Sequence, residues 1–212
     1  LVLAWFVALL LISNIAATKL ITIGGLIFDG GALLFPLTYV LGDVLAEVFG
    51  MRLTRRAIWL GFAASALMSL VFWVISVAPP APDWPNQDAW AAVLGFVPRI
   101  VVASLLGYLI GQFLNAHVLV RLKAAMAGRR LWVRLIGSSV VGHGADTIVF
   151  CSIAFGPLGA FMGGGSIGWV TLVNYIVVGW VYKVAVEVAL LPVTYRVIAG
   201  VKFRERVTDA AG

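Results

Sequence analysis

Ionisable side chains interrupt the long apolar stretches of this sequence in three pairs. The members of each pair lie three or four residues apart: Asp43 and Glu47, His143 and Asp146, and Lys183 and Glu187. In a helix, that spacing places both members on one face. A charge in the hydrocarbon core of a membrane costs at least about 2.5 kcal/mol, so such residues usually face a protein interior and mark a site or a pathway. We therefore expect the function to depend on these pairs.

The composition identifies the class of protein that carries them. Of the 212 residues, 62% are hydrophobic and only 11% are charged, and the mean hydropathy is +1.06. A soluble domain has about 25% charged residues, so an integral membrane protein is expected. The apolar runs are long and do not alternate, which favours helices over a barrel. The single Cys151 excludes an intramolecular disulfide, and the sequence has no Walker-type phosphate loop, so we expect no ATP hydrolysis.

Charge-free stretches predict an all-α membrane protein with six transmembrane helices in a single domain, residues 1–212. Each stretch is long enough for a crossing, which takes about 20 residues. Gly156-Pro157 and the glycines at 163–165 divide the last uncharged run into two helices. The first stretch has no basic segment before it, so we interpret it as a span and not as a signal peptide. The predicted spans are residues 1–18, 32–50, 57–78, 90–122, 131–155 and 167–199.

The basic residues predict how these helices are oriented. Twelve of the 15 lysines and arginines fall at 52–56, 121–134 and 196–206, all on one side of a six-span arrangement. The opposite loops carry Asp29, Asp83 and Asp88. By the positive-inside rule, both termini are cytoplasmic. The rule explains the basic clusters without nucleic acid, and we expect no nucleic-acid partner.

Spans two and five hold the strongest candidates for a site. Glu47 lies close to the arginines at 52–56, so an interfacial salt bridge is its expected role, whereas Asp43 lies deeper. His143 and Asp146 share a face near the middle of span five. They could bind a ligand or carry a proton, or Asp146 could simply accept hydrogen bonds from neighbouring helices.

Spans one, four and six add further polar groups. Asn14 is the one amide of span one. Arg99 follows Pro98 in the outer third of span four, where it either snorkels to the interface or meets a partner or an anionic ligand. Lys183 lies in the middle of span six with Glu187 one turn on, and the two could form a structural salt bridge or belong to a site.

Span four also has two helical faces of distinct character. Gln112 and Asn115 share one face and could contact a polar solute. Small residues at four-residue spacing, which we call the glycine seam, predict close helix packing. The seam allows a homodimer but does not require one. Its members are Ala103, Gly107 and Gly111.

The residues also allow an enzymatic alternative, hydrolysis inside the membrane. Ser139, His143 and Asp146 could form a nucleophilic set, but they are stacked on one helix, whereas such sets normally converge from different elements. No HExxH motif occurs, and two histidines on separate spans make a poor zinc site, so no metal is expected. No ring of like groups suggests an ion channel. Acids and amides from several helices better suit the transport of a small polar solute.

The order of several motifs resembles the queuosine precursor transporter family, also called the vitamin uptake transporter family. FPLTYVLGDVLAEVFGMRLTRRAIWLGF, residues 35–62, is similar to the family's second helix and arginine loop. The strings QDAW, RIVVASLLGYLIGQ, LWVRLIGSS and DTIVFCSIAFG follow in order, and NIAATK precedes them. With the Lys183, Pro192 and Tyr195 pattern, the resemblance covers nearly the whole chain. Family members often have Gln in place of His143 and Asp in place of Asn115.

The resemblance implies a fold similar to the substrate-binding components of energy-coupling-factor vitamin transporters. It implies uptake of 7-deazaguanine precursors of queuosine, the cyano and aminomethyl bases, across the bacterial inner membrane. It also implies that transport needs no shared ATPase module. We expect no cofactor and no catalytic residue.

Such a base makes specific chemical demands on its site. A guanine-like edge offers two adjacent N–H donors that Asp146 or Asp43 could accept. Amide or basic donors would meet the ring acceptors, and an aromatic ring would stack on the flat face. A cationic aminomethyl group would favour a nearby carboxylate. The expected substrate-binding residues are Asp146, His143, Gln112, Arg99, Asp43, Asn14, Lys183, Glu187, Phe35 and Tyr39.

Overall fold

The structure is a computed structural model that describes residues 2–125, 131–162 and 165–211. Most of the described residues lie in helices, with one β-hairpin near the amino-terminal end. Short 3₁₀ helices occupy Gly30–Leu34 and Pro157–Met162, and the hairpin strands are β1 (Leu20–Ile23) and β2 (Leu26–Asp29). The α-helices are α1 (Val2–Ala16), α2 (Phe35–Val48), α3 (Gly50–Val77), α4 (Gln87–Leu94), α5 (Val97–Ala125), α6 (Leu131–Ala154) and α7 (Trp169–Ala211).

Four helical segments of the described chain are long and apolar enough to cross a membrane: Arg52–Val77, Gln87–Leu122, Ile136–Ala154 and Trp169–Val193. This confirms the prediction of a helical membrane protein. Helices α1 and α2 have 15 and 14 residues. At about 1.5 Å per residue they extend roughly 21–23 Å, which is less than the hydrocarbon core. Six crossings therefore remain a prediction.

The boundaries of the long helices follow the sequence closely, with one interruption. The prediction that residues 156–165 separate the last two spans is confirmed, because α6 ends at Ala154 and α7 begins at Trp169. The fourth predicted span was expected to be continuous, and the structure corrects this. A turn at Gly95 and Phe96 separates α4 from α5.

The β-hairpin was not predicted from the sequence. Its strands pair antiparallel, with Leu20 opposite Asp29 and Ile23 opposite Leu26. Gly24 and Gly25 form the turn with φ values of 58° and 81°, which the Gly-Gly pair adopts at little cost. The hairpin is tied to α7 by Asn174. The side chain of Asn174 accepts the N–H of Ile27 at 3.2 Å and donates to the carbonyl of Gly25 at 3.3 Å.

The glycine seam packs α5 tightly against α6. A Cβ atom at Gly107 would lie 2.8 Å from Oδ1 of Asp146, and one at Gly111 would lie 2.8 Å from Cβ of Asp146. On α6, a Cβ atom at Gly142 would lie 2.8 Å from Cβ of Asn115. The packing role predicted for the seam is confirmed. Helix α6 covers the seam, and the homodimer stays a prediction.

Candidate functional site

A cavity of about 520 Å³ lies between the helices and the hairpin. Cavities that bind small molecules generally have volumes of about 300–1,000 Å³, so this one can hold a small solute. Its described walls come from α1, α2, α3, α5, α6 and α7, from strand β2 and from the 3₁₀ helix Gly30–Leu34. The ionisable and amide side chains that line it are Asn14, Asp29, Tyr108, Gln112, Asn115, His143, Asp146, Cys151, Tyr175, Tyr182 and Lys183.

An ion pair between α6 and α7 lies in the cavity wall. Nζ of Lys183 donates to Oδ2 of Asp146 at 2.5 Å. About one fifth of the Lys183 side chain and one quarter of the Asp146 side chain are exposed, with values of 21% and 25%. The sequence had suggested that Lys183 pairs with Glu187 on its own helix, and the structure corrects this. The carboxylate of Asp146 is therefore satisfied by a flexible cation that a ligand could replace.

A second contact joins the same two helices about one turn away. Nε2 of His143 lies 3.0 Å from Oε2 of Glu187. The contact is a hydrogen bond when the imidazole is neutral and an ion pair when it is protonated. His143 and Asp146, which are three residues apart on α6, thus contact Glu187 and Lys183, which are four residues apart on α7. These two pairs share a face as predicted, but their bonds run between helices.

Phe35 packs against the basic members of both contacts. Nζ of Lys183 lies 5.8 Å from the centroid of the Phe35 ring, which is within the range of a cation–π interaction. The ring of His143 meets the same phenyl group edge-on, with centroids 6.1 Å apart and planes at 79°. Phe35 begins α2, where Pro36 suits the first turn because a proline N–H is not needed there. This helix start fixes an aromatic face beside the charges.

Asn14 lies in the wall, and its amide joins three helices. It donates to Oγ of Ser65 on α3 at 3.2 Å and accepts from Oγ of Ser104 on α5 at 3.1 Å. The side chain is 4% exposed and Ser65 is fully buried. Both ends of the amide are occupied by these contacts, so Asn14 holds the wall together in this state.

Other polar groups in the wall are less fully bonded. Gln112 is exposed and lines the cavity, as expected for a residue that meets a solute. Oδ1 of Asn115 and Oγ1 of Thr147 are buried and have no hydrogen-bond partner among the described residues. Buried polar atoms of this kind call for an explanation, and a bound ligand is one. Thr147 was not recognised from the sequence, because a single threonine in a span gives no signal.

Arg99 lies outside the set of residues that line the cavity. Its guanidinium donates to the backbone carbonyl of Ile153 in the last turn of α6 at 2.7 Å. It also donates to the carbonyls of Gly156 at 2.8 Å and Gly165 at 3.2 Å, which follow that helix. Only 2% of the residue is exposed. Its cation therefore stabilises the connection between α6 and α7, and of the expected alternatives the structure shows partners within the protein, which are backbone carbonyls. This geometry favours a structural role over ligand binding.

Asp29 was expected in an external loop, and the structure places it in the cavity wall at the end of β2. Its Oδ2 accepts from the hydroxyl of Tyr175 at 2.5 Å. Its Oδ1 accepts from the N–H of Ala32 at 3.0 Å and so caps the following 3₁₀ helix. The inward position of Asp29 was not predicted because the hairpin was not recognised.

Three residues that were given roles from the sequence have side chains outside the described part of the structure. The side chains of Tyr39, Asp43 and Glu47 are not among those that the structure describes. The neighbouring Gly42 lines the cavity, so this part of α2 reaches the wall. The roles expected for Tyr39 and Asp43 in the site, and for Glu47 beside the arginines, stay predictions.

The enzymatic alternative gains no support from the geometry. Ser139 and His143 both line the cavity from α6. Nε2 of His143, however, faces Glu187 on α7, and Asp146 faces Lys183. A nucleophile, a base and an orienting acid in hydrogen-bonded series are the arrangement that such catalysis requires.

Comparison with known proteins decides the family. The family described as "Putative vitamin uptake transporter" matches residues 29–197 of the chain. The chain belongs to this family. Membership in this transporter family argues against the hydrolase, and with the apolar helices it establishes a multi-pass membrane protein.

Curated relatives of the vitamin uptake transporter family carry a more specific name. The chain is 30% identical over 144 residues to the "Probable queuosine precursor transporter" of Bacillus subtilis (strain 168), with 68% of the chain and 63% of the relative covered. It is 34% identical over 143 residues to the "Queuosine precursor transporter" of Escherichia coli (strain K12), with 68% of the chain and 62% of the relative covered. The chain thus spans about three fifths of the length of these relatives.

No solved structure gives a significant match to the chain. The likeness to the substrate-binding components of energy-coupling-factor transporters therefore stays a prediction. The resemblance recognised from the motifs is confirmed at the level of the family.

Proposed function

We propose that this protein imports 7-cyano- and 7-aminomethyl-7-deazaguanine, or a closely related purine-like base, across the bacterial inner membrane. The observation that carries the proposal is the cavity of about 520 Å³ with the Asp146–Lys183 pair in its wall. The names of the relatives from Bacillus subtilis and Escherichia coli support the same class of substrate.

The chemistry of the pair suits the guanine-like edge of such a base. The carboxylate of Asp146 can accept two adjacent N–H donors, and the ammonium of Lys183 can donate to the neighbouring ring carbonyl. In the absence of a base, the two side chains satisfy each other at 2.5 Å. The base therefore exchanges one set of charge-assisted hydrogen bonds for another, so neither Asp146 nor Lys183 loses its hydrogen-bond partner.

The remaining walls supply the other contacts that a flat base requires. Phe35 offers an aromatic ring beside the charged edge, and the rings of Phe62 on α3 and Tyr108 on α5 also line the cavity, with centroids 5.6 Å apart. Gln112 provides an amide for a ring acceptor. Aromatic faces with a few directed polar groups are typical of small-molecule sites.

The proposal extends to the way the protein lies in the membrane and works there. We place both termini in the cytoplasm because the basic clusters share one side. Transport proceeds without a shared ATPase module and without a bound cofactor. A copurifying ATPase would contradict this part of the proposal.

A thermal-shift screen of the purified protein against deazapurines, purines and vitamins tests the substrate class. A ligand that binds the folded state stabilises it by mass action, by about 2.7 kcal/mol at a hundred times its Kd. We expect the two deazaguanines to raise the melting temperature and unrelated vitamins to leave it unchanged. Stabilisation by a different vitamin-like solute alone would replace the proposed substrate and retain the transporter class.

A further inference from the structure

The charges in and around the cavity do not balance. Among the described residues, the cavity wall and the direct partners of its ionisable groups hold three carboxylates and two bases. The carboxylates are those of Asp29, Asp146 and Glu187, and the bases are His143 and Lys183. Lys183 compensates Asp146, and His143 compensates Glu187 when the imidazole is protonated. Asp29 is left with no cation bonded to it in the part of the chain that the structure describes.

The hydrogen bonds of Asp29 come from neutral donors. Its two oxygens accept from the hydroxyl of Tyr175 and the backbone N–H of Ala32. These bonds fix the carboxylate in the wall and lower the cost of its burial, but they add no positive charge. A carboxylate held in this way inside a membrane protein favours a cation beside it.

Asp29 and Asp146 lie at different heights in the cavity. Tyr175, which binds Asp29, is eight residues before Lys183, which binds Asp146, so about 12 Å of helix axis separates the two anchors on α7. Between them on α7, Gly179 and Tyr182 both line the cavity, and the Tyr182 hydroxyl donates to the carbonyl of Ala32 at 3.1 Å. The buried hydroxyl of Thr147 also lines this part of the wall and has no partner among the described residues.

We propose that Asp29 is a specificity-determining residue that selects a substrate with a positive charge at the end remote from the guanine-like edge. The inference rests on the proposed function. With the donor edge at Asp146, the charged arm of the aminomethyl base extends toward Asp29 and supplies the missing positive charge. The cyano base has no such charge and leaves Asp29 without a bonded cation, with Lys183, which is bonded to Asp146, as the cation within electrostatic range.

The test compares the Kd values of the two bases by titration calorimetry of the purified protein in detergent. The wild type should bind the aminomethyl base more tightly than the cyano base. Asp29→Asn keeps the shape and the acceptor for Ala32 but removes the charge, and it should reduce this preference by about tenfold. Tyr175→Phe is the matched control, because it removes the hydrogen bond and keeps the charge, so the preference should persist.

A second measurement needs no variant. A hydroxymethyl base has the shape of the aminomethyl base without its charge, and wild-type protein should bind it about tenfold more weakly. Equal affinity for these two ligands, or an Asp29→Asn variant that retains the preference, would overturn the role of Asp29. If the wild type binds neither deazaguanine, the proposed function itself fails. If it binds both equally, only the present inference fails.

Discussion

Asp146 on α6 and Lys183 on α7 meet at 2.5 Å in the wall of the central cavity. Both residues lie within long apolar stretches of their helices, so each charge depends on the other for compensation in a medium of low dielectric constant. A ligand that binds to the Asp146 carboxylate must replace the hydrogen bond that Lys183 donates to it. The pair thus joins α6 to α7 and also presents two oriented charged groups to a ligand in the cavity.

Removing one member of this pair should destabilise the protein more than removing both. Lys183→Met leaves Asp146 as a partly buried carboxylate without a cation, and it should lower the free energy of unfolding by about 2 kcal/mol. The double variant Asp146→Asn with Lys183→Met contains no charge and should regain most of that stability. Melting temperatures in detergent compare the variants. A double variant less stable than Lys183→Met would show that the two side chains do not act as a pair.

The glycine seam should control the position of Asp146. Gly107→Ala places a methyl group 2.8 Å from Oδ1 of Asp146, so the carboxylate must move. Losing one charged hydrogen bond to the base is worth about 1.5 kcal/mol, or roughly tenfold in affinity. Ligand titration measures this change. Gly200→Ala is the matched control, because its Cβ atom meets nothing within 4 Å, and equal affinities for the two variants would contradict the prediction.

Arg99 should contribute to stability and not to ligand binding. Arg99→Ala removes three hydrogen bonds and leaves the buried carbonyls of Ile153 and Gly156 without their donor. We expect a loss of about 3 kcal/mol in the free energy of unfolding, with unchanged affinity in the protein that remains folded. Thermal melting and ligand titration of the same preparation separate the two effects. A stable variant with weakened binding would return Arg99 to the site.

The amide of Asn14 should stabilise the contact between α1, α3 and α5. Asn14→Ala leaves the hydroxyl of Ser65 buried without its present donor, and it should cost about 2 kcal/mol of folding free energy. Adding Ser65→Ala removes the unsatisfied hydroxyl, so the double variant should be no less stable than the single one. Strong non-additivity in this double-mutant cycle is the expected result, and simple addition of the two losses would contradict it.

The sequence was sufficient to locate the long helices and the faces that carry the charges. Long uncharged runs have one stable solution in a membrane, and glycine and proline divide the last of them, so the end of α6 and the start of α7 could be predicted. Helix α7 continues to Ala211, beyond the predicted end of span six at residue 199. The partners of the charges could not be predicted in the same way. Spacing along one helix shows that His143 and Asp146 share a face, but the residue opposite them depends on how α7 packs. That packing placed Glu187 and Lys183 across from them.

Two features of the site lay beyond sequence reasoning for other physical reasons. The hairpin strands have four residues each, too short for a clear alternation, so Asp29 gave no sign of turning inward. Arg99 was expected either to snorkel or to meet a partner or an anionic ligand, and the sequence did not show which. Its guanidinium instead donates to backbone carbonyls at the end of α6, which are not bonded within the helix. Every residue has such a carbonyl, so the sequence does not show which ones will bind Arg99.

Uptake of a labelled queuosine precursor base into proteoliposomes tests the central claim most directly. Wild-type protein and Asp146→Asn would be reconstituted at equal folded amounts and compared with protein-free vesicles. We predict uptake by the wild type that excess unlabelled base suppresses, and an initial rate at least about tenfold lower for Asp146→Asn. Wild-type uptake no faster than that of empty vesicles, or an Asp146→Asn variant as fast as the wild type, would contradict the claim.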